Sequence, residues 1–178
     1  MDDYTQTAFV THDLERSIQS WYDIAAGPFV ILDLDPLFAA PESCPRSYRG
    51  APATDRFRIA LGFLGTTQIE IIQPLDDLPS IFGDHLRTRG EVIHHIQAKK
   101  SVVTADIFDA TAASYERMGM ELVATIVQPN GNRVAFYDGL SHFGFFLEIV
   151  ENGARSFQSV VDMHKLHLER DKHPMIVG

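Results

Sequence analysis

Short apolar runs, some alternating with polar residues and some continuous, recur along the chain and are closed by glycine, proline or asparagine signals; stretches of helical spacing interrupt them. Residues 5–11 read as a strand. Asp13 then offers an N-cap to a helix with the stripe Leu14, Ile18, Trp21 and Tyr22, which Gly27-Pro28 stops. Residues 29–34 read as a second strand. Residues 56–64 and 67–72 read as a hairpin turned at Gly65-Thr66. Between them, residues 35–54 hold Pro36, Pro41, Pro45, Gly50 and Pro52, which predicts a long irregular loop of the kind that forms lids or binding loops. A short connecting helix over residues 79–87 ends near Gly90.

The pattern then repeats. Residues 92–98 read as a strand, and Thr104 caps a helix to about Arg117, with Ile107, Ala110, Ala113 and Tyr115 on one side and Gly119 at its end. Residues 121–127 read as a strand, Pro129-Asn130-Gly131-Asn132 as a turn, and residues 133–137 and 143–150 as a further strand pair, with Phe143, Phe145 and Phe146 packing the sheet. Each half is therefore a strand, a helix and three strands. This predicts an α+β protein with residues 1–90 as a first βαβββ module, 91–152 as a second, and 153–178 as a helical extension. In that extension residues 154–170 form a helix carrying Phe157, Val160, Val161 and Leu166, which covers a sheet edge or a partner subunit.

Both halves carry polar residues where the strands are otherwise apolar. Gln6 lies in the opening strand of the first half and Glu70, between Ile69 and Ile71, in its last; His95 and Glu148 hold the equivalent places in the second. Burying a lone carboxylate among isoleucines and phenylalanines is costly unless it is paired. Strand side chains alternate between faces, so the flanking apolar residues face the helices and the four candidates share the opposite face. Alternation also puts His94 on the packing face with Ile96, which leaves His95 as the ligand. One amide oxygen, one imidazole and two carboxylates suit a single divalent ion, Zn, Mn, Fe, Co or Ni. Taken singly, each of the four is more often an ordinary strand residue; their equivalent placement in two units favours a metal site. His12, His85, His142, His164, His167 and His173 lack that registration, although His142 is near enough to Glu148 to reach a site rim.

Composition narrows the function. With 178 residues, 45% of them hydrophobic, a sizeable core is available. The net charge of -9 and the lack of a basic stripe argue against nucleic acid as a partner, and Lys99-Lys100 reads as a solvated strand end. No apolar run reaches the length of a membrane span. The single cysteine, Cys44, sits in the proline-rich stretch with no base beside it and reads as a bystander. A chain with no possible internal disulfide, and with no leader pattern in Met1-Asp2-Asp3-Tyr4, is expected in the cytoplasm.

The segments Gln6-Thr7-Ala8-Phe9-Val10-Thr11-His12-Asp13-Leu14-Glu15, Gln68-Ile69-Glu70-Ile71-Ile72-Gln73-Pro74-Leu75, His94-His95-Ile96 and Phe146-Leu147-Glu148-Ile149-Val150 together resemble the vicinal oxygen chelate superfamily over about residues 5–150. That superfamily includes glyoxalase I, methylmalonyl-CoA epimerase, extradiol dioxygenases and bleomycin-resistance proteins. Ala26-Gly27-Pro28-Phe29, Tyr48-Arg49-Gly50 and the Trp21 helix resemble the glyoxalase-like branch near methylmalonyl-CoA epimerase. The resemblance implies two βαβββ modules whose curved mixed sheet surrounds a metal cleft, with Gln6, Glu70, His95 and Glu148 as metal ligands. It also implies a homodimer acting on a small molecule. The activity it implies is that of an isomerase, epimerase or lyase that abstracts a proton next to a metal-bound carbonyl or carboxylate, with Glu148 as base and Glu70 as its opposite-face partner. Tyr48 and Arg49 are the candidate substrate contacts, Arg49 for a carboxylate. Methylmalonyl-CoA epimerases commonly have histidine at the place of Gln6. The arginine and asparagine with which some glyoxalase I enzymes hold glutathione are Val10 and Pro74 here, which argues against a glutathione thiohemiacetal. An extradiol-type iron dioxygenase and a metal-free small-molecule binding protein are the alternatives on the same fold.

Overall fold

A computed structural model describes residues 4–39 and 41–177 of the chain. Met1-Asp2-Asp3, on which the leader reading partly rests, lie outside the described residues, as does Ala40 within the predicted loop. In chain order the elements are β1 (Tyr4–Val10), α1 (Leu14–Asp23), β2 (Phe29–Ile31), α2 (Asp35–Ala39), β3 (Arg46–Tyr48), β4 (Ala51–Pro52), β5 (Phe57–Leu64), β6 (Thr67–Pro74), α3 (Ile81–Arg89), β7 (Ile93–Lys100), α4 (Ala105–Arg117), β8 (Leu122–Val127), β9 (Arg133–Tyr137), α5 (Leu140–Phe143), β10 (Phe146–Val150), α6 (Ala154–Leu168) and β11 (Ile176–Val177).

All strands join one curved, unclosed sheet in the order β11-β2-β5-β6-β1-β7-β10-β9-β8-β3-β4. The order shows the repeat. Outward from the antiparallel β1–β7 seam, each half places its last strand parallel to its first, β6 beside β1 and β10 beside β7, followed by β5 and β2 on one side and β9 and β8 on the other. The first-half helix α1 buries Leu14 and Ile18 against Ile69, Ile71 and Phe29, and α4 buries Phe108 against Tyr137, Leu147 and Ile149. Each such side chain contributes about 1.5–3 kcal/mol on leaving water. On the opposite face α3 inserts Ile81, Phe82 and Leu86 against Phe57, Phe136 and Phe146, closing one end of the curve and leaving the other end for the site.

Several elements depart from the pattern read in the sequence, each for a local reason. The 35–54 stretch is not an irregular loop. The carboxylate of Asp33 accepts the amide of Asp35 and starts α2, and β3 and β4 then extend the edge of the second half, Tyr48 pairing with Ala124. Arg46, buried between Phe38 and Phe57 and paired with Asp55 at 3.4 Å, pins this segment down. Pairing with strands of the other half is invisible to local periodicity. The strand expected over 143–150 begins only at Phe146, because Asp138 accepts the Leu140 amide and opens α5, which Gly144 ends in the left-handed region at φ 84°. Asp13 caps α1 by accepting from the Arg16 amide at 2.9 Å, whereas Thr104 stands at the start of α4 with no capping bond from its side chain. The final helix covers Tyr4 and Phe63 with Val160, and the chain end returns as β11 along β2.

Candidate metal centre

Gln6, Glu70, His95 and Glu148 come from β1, β6, β7 and β10, the four central strands, and all four are buried. Ala8 explains how they meet. It pairs with Glu70 on one side and His95 on the other, while His95 pairs in turn with Phe146. A methyl group in the middle of that row leaves room for the longer side chains to converge. One ligand atom each from Glu70, His95 and Glu148 lies within 4.8 Å of the others. These residues and Gln6 line a cavity of about 460 Å³ whose other walls include Phe136, Ile59 and Leu61.

The protonation of the two histidines follows from a carbonyl. His94 Nε2 lies 3.2 Å from the Ile81 carbonyl oxygen, which can only accept, so Nε2 carries the proton. His94 is fully buried against Phe82 and Phe146, and this burial, with His95 and His85 nearby, holds its pKa well below the ordinary value; it is neutral. Its Nδ1 must then accept, and it does so from His95 Nδ1–H at 2.8 Å. His95 Nε2 is left facing the carboxylates of Glu70 at 3.1 Å and Glu148 at 3.5 Å. A bare nitrogen lone pair against two carboxylates is repulsive, so this point requires a proton or a metal cation. Burial disfavours a charged His95, yet Glu148 and Glu70 outweigh it and hold the imidazolium up to about 9. Burial likewise pushes the Glu148 carboxyl upward, but His95 and Lys100 hold it below its ordinary value. The donor set therefore fits a divalent ion, with a neutral histidine oriented by its other nitrogen, as metal-binding imidazoles commonly are.

Gln6 is oriented with equal definition. Its Nε2 donates to Gln68 Oε1 at 3.1 Å, so Oε1 turns the other way and accepts from Lys100 Nζ at 3.2 Å. Gln68 donates onward to Met163 Sδ at 3.4 Å, which ties the site to α6.

Two of these residues escape sequence reading for one reason. β7 is bulged twice against β1. Between Ala8–His95 and Phe9–Ile93, one step on β1 meets two on β7, with His94 the extra residue; between Tyr4–Lys100 and Gln6–Gln97, two steps meet three. Each bulge shifts the alternation by one. Hence His94 is not on the helix-packing face with Ile96 but beside His95, and Lys100 is not a solvated strand end but lines the cavity, bonded to Gln6 and Gln97.

Other candidates lie elsewhere. Tyr48 and Arg49 line a separate cavity with Asp84, Arg87 and Leu140, because β3 belongs to the second-half edge and turns Tyr48 toward α3. The Tyr48 hydroxyl donates to Asp84 at 2.8 Å, and burial together with that carboxylate pushes it up to about 12, so it stays a neutral donor. Arg49 stacks on the Tyr48 ring. His142 is exposed on α5 beside Ser141 and is not part of the cavity wall, since α5 displaces it from the strand it was expected to precede. Cys44 is buried in the apolar core.

The curved sheet and its flanking helices match the fold of methylmalonyl-CoA epimerases, which are themselves members of the vicinal oxygen chelate superfamily. A variant of the Streptomyces coelicolor epimerase in complex with 2-nitronate-propionyl-CoA superposes with a TM-score of 0.57 at 18% identity, covering 86% of this chain and 99% of the other. A methylmalonyl-CoA epimerase in complex with methylmalonyl-CoA and NH4+ gives 0.55 at 18% identity, covering 88% and 97%. The Mycobacterium tuberculosis epimerase gives 0.51 at 17%, covering 84% and 86%. No family model matches the sequence, and no curated protein does. Among the described residues, no helix is long and apolar enough to cross a membrane.

Proposed function

We propose that this protein is a metal-dependent epimerase or isomerase, or a lyase of the same chemistry, which moves a proton on a carbon next to a carbonyl or carboxylate. The observation that carries this reading is the convergence of Glu70, His95 Nε2 and Glu148 in one cavity, with a hydrogen-bond chain that presents His95 as a lone pair. Gln6, Glu70, His95 and Glu148 would hold the ion. When bound, a divalent ion supplies Lewis acidity that lowers the pKa of a substrate C–H.

The chain's own groups do the rest. Glu148, which Lys100 helps to keep ionised, is the base that would remove the proton. For epimerisation by two bases, Glu70, on β6 with His95 between it and Glu148, would deliver to the opposite face a proton it has taken up from solvent, while Glu148 keeps the one it removed. Phe136, Ile59 and Leu61 line the cavity beside the carboxylates and lower the local polarity in which they act. The epimerases of like fold support this choice among the possible proton transfers, and their CoA thioesters are the first substrates to try.

A metal-free binding protein is the second reading. It is supported by the charge balance in the buried part of the cavity, where a protonated His95 and Lys100 together offset Glu70 and Glu148, with Asp33 exposed at the rim.

The test combines metal analysis with solvent exchange. About one divalent ion per chain is expected by mass spectrometry, along with faster incorporation of solvent deuterium at C2 of methylmalonyl-CoA. Glu148→Gln should abolish the exchange. A protein that takes up no metal on loading, or a fully active Glu148→Gln variant, overturns the proposal.

A further inference from the structure

Lys100 adds to the cavity a charge that metal binding does not call for. Its ammonium donates to Gln6 Oε1 and Gln97 Oε1, each at 3.2 Å. Both acceptors are neutral amides on buried residues. An ammonium has three donors, and no hydrogen bond from the third reaches any acceptor among the described residues. Lys100 lines the same cavity as Glu70 and Glu148; burial lowers its pKa from the ordinary lysine value, and the two carboxylates work against that and favour the ammonium. It reaches this face only because β7 holds an extra residue between Gln97 and Lys100.

We propose that Lys100 is a ligand-binding residue of this site and selects for a substrate that presents an anionic oxygen. The inference rests on the metal reading for its charge balance. Two carboxylates neutralise a divalent ion, and a cavity holding only those would suit a neutral ligand. With Lys100 present, the buried part of the loaded cavity carries one positive charge between apolar walls such as Phe136, Ile59 and Leu61, while Asp33, the remaining lining carboxylate, is exposed at the rim and accepts the Asp35 amide; an uncompensated buried charge is costly. One negatively charged oxygen restores neutrality, and the remaining N–H can meet it in a charge-assisted hydrogen bond. The two amides hold the ammonium in place without consuming its charge.

The alternative is a strut that merely orders Gln6 and Gln97. Titration calorimetry with malonate and its neutral diamide, malonamide, separates the two roles. Wild type, K100M and K100Q are compared at matched metal content, with K100R as the charge-keeping control. Malonate should bind at least about tenfold more weakly to K100M and K100Q, stay within a few-fold in K100R, and malonamide should not distinguish the proteins. Equal malonate affinity at equal metal content overturns the inference, as does an equal loss for malonamide. Should wild type take up no metal, the metal reading fails by itself. Malonate titrated into the metal-free proteins then decides the role of Lys100 by the same criterion: a loss confined to the uncharged variants sustains it, and equality ends it.

Discussion

The two halves of the sheet supply the same number of candidate ligands by different means. In the first half β1 and β6 run in unbroken register from Thr5–Thr67 to Val10–Ile72, and Gln6 and Glu70 face the cavity by plain alternation. In the second half β7 is bulged twice, and the bulges add His94 and Lys100 to the set that His95 begins. The regular half contributes an amide and a carboxylate with simple partners. The irregular half contributes the imidazole, the neighbour that fixes its tautomer and a fixed positive charge. Repetition thus builds the frame, and local breaks in one copy give the site its asymmetry.

The largest expected effect tests that division directly. His95→Ala removes the one nitrogen ligand and leaves two buried carboxylates facing each other, so metal binding should fall by more than about a hundredfold. Gln6→Ala, which removes a neutral amide oxygen, should cost about tenfold, in line with the weaker pull of a neutral donor. Calorimetric metal titration of both variants checks this, and a greater loss in Gln6→Ala would reverse the assigned roles of the halves.

His94→Phe follows in size. It keeps the ring packing but takes away the acceptor for His95 Nδ1–H. Removing such an outer partner typically weakens metal affinity by about 10–100-fold, and an unpaired buried donor costs about 1–3 kcal/mol of stability. Affinity unchanged from wild type would mean that His94 does not orient the ligand.

The proton that replaces the metal gives a pH signature. In the metal-free protein His95 is raised to about 9 from an ordinary value of about 6.5. Its folded form binds the proton more tightly than the unfolded form. The stability this contributes is therefore complete below about pH 6.5 and is lost as pH rises through about 9. Denaturant melts of metal-free protein across this range should show the decline, and His95→Gln should remove it.

The smallest contrast concerns the helices. Asp13→Ala should cost about 1 kcal/mol, because Asp13 caps α1 in the first half. Thr104→Ala should cost close to nothing, because Thr104 makes no capping bond to α4. Equal losses in thermal melts would show that the two halves are capped alike.

The repeat was legible because it is written in local patterns. Strand alternation around Glu70 and Glu148, the helical stripe of Leu14 and Ile18, and the turn at Gly65-Thr66 each depend on residues close in the chain. The strand, helix and three-strand succession in each half and the four candidates Gln6, Glu70, His95 and Glu148 follow from them, and the structure brings those four to one cavity. Tyr48 and Arg49, which the proline-rich stretch, the arginine's charge and the resemblance together suggest as substrate contacts, stand at a different cavity. His94 and Lys100 were unreadable because a bulge is a relation between two strands, and no periodicity within β7 records how β1 pairs with it.

The sequence by itself therefore determined the class of the fold, its two-unit organisation and the residue types available to hold a metal, since these depend on hydrophobic period and side-chain chemistry. The tertiary structure alone decided which face His94 and Lys100 take, which half β3 and β11 edge, and which nitrogen of His95 is free. Those depend on register, bulges and the one carbonyl, that of Ile81, which sets the direction of the hydrogen bonds.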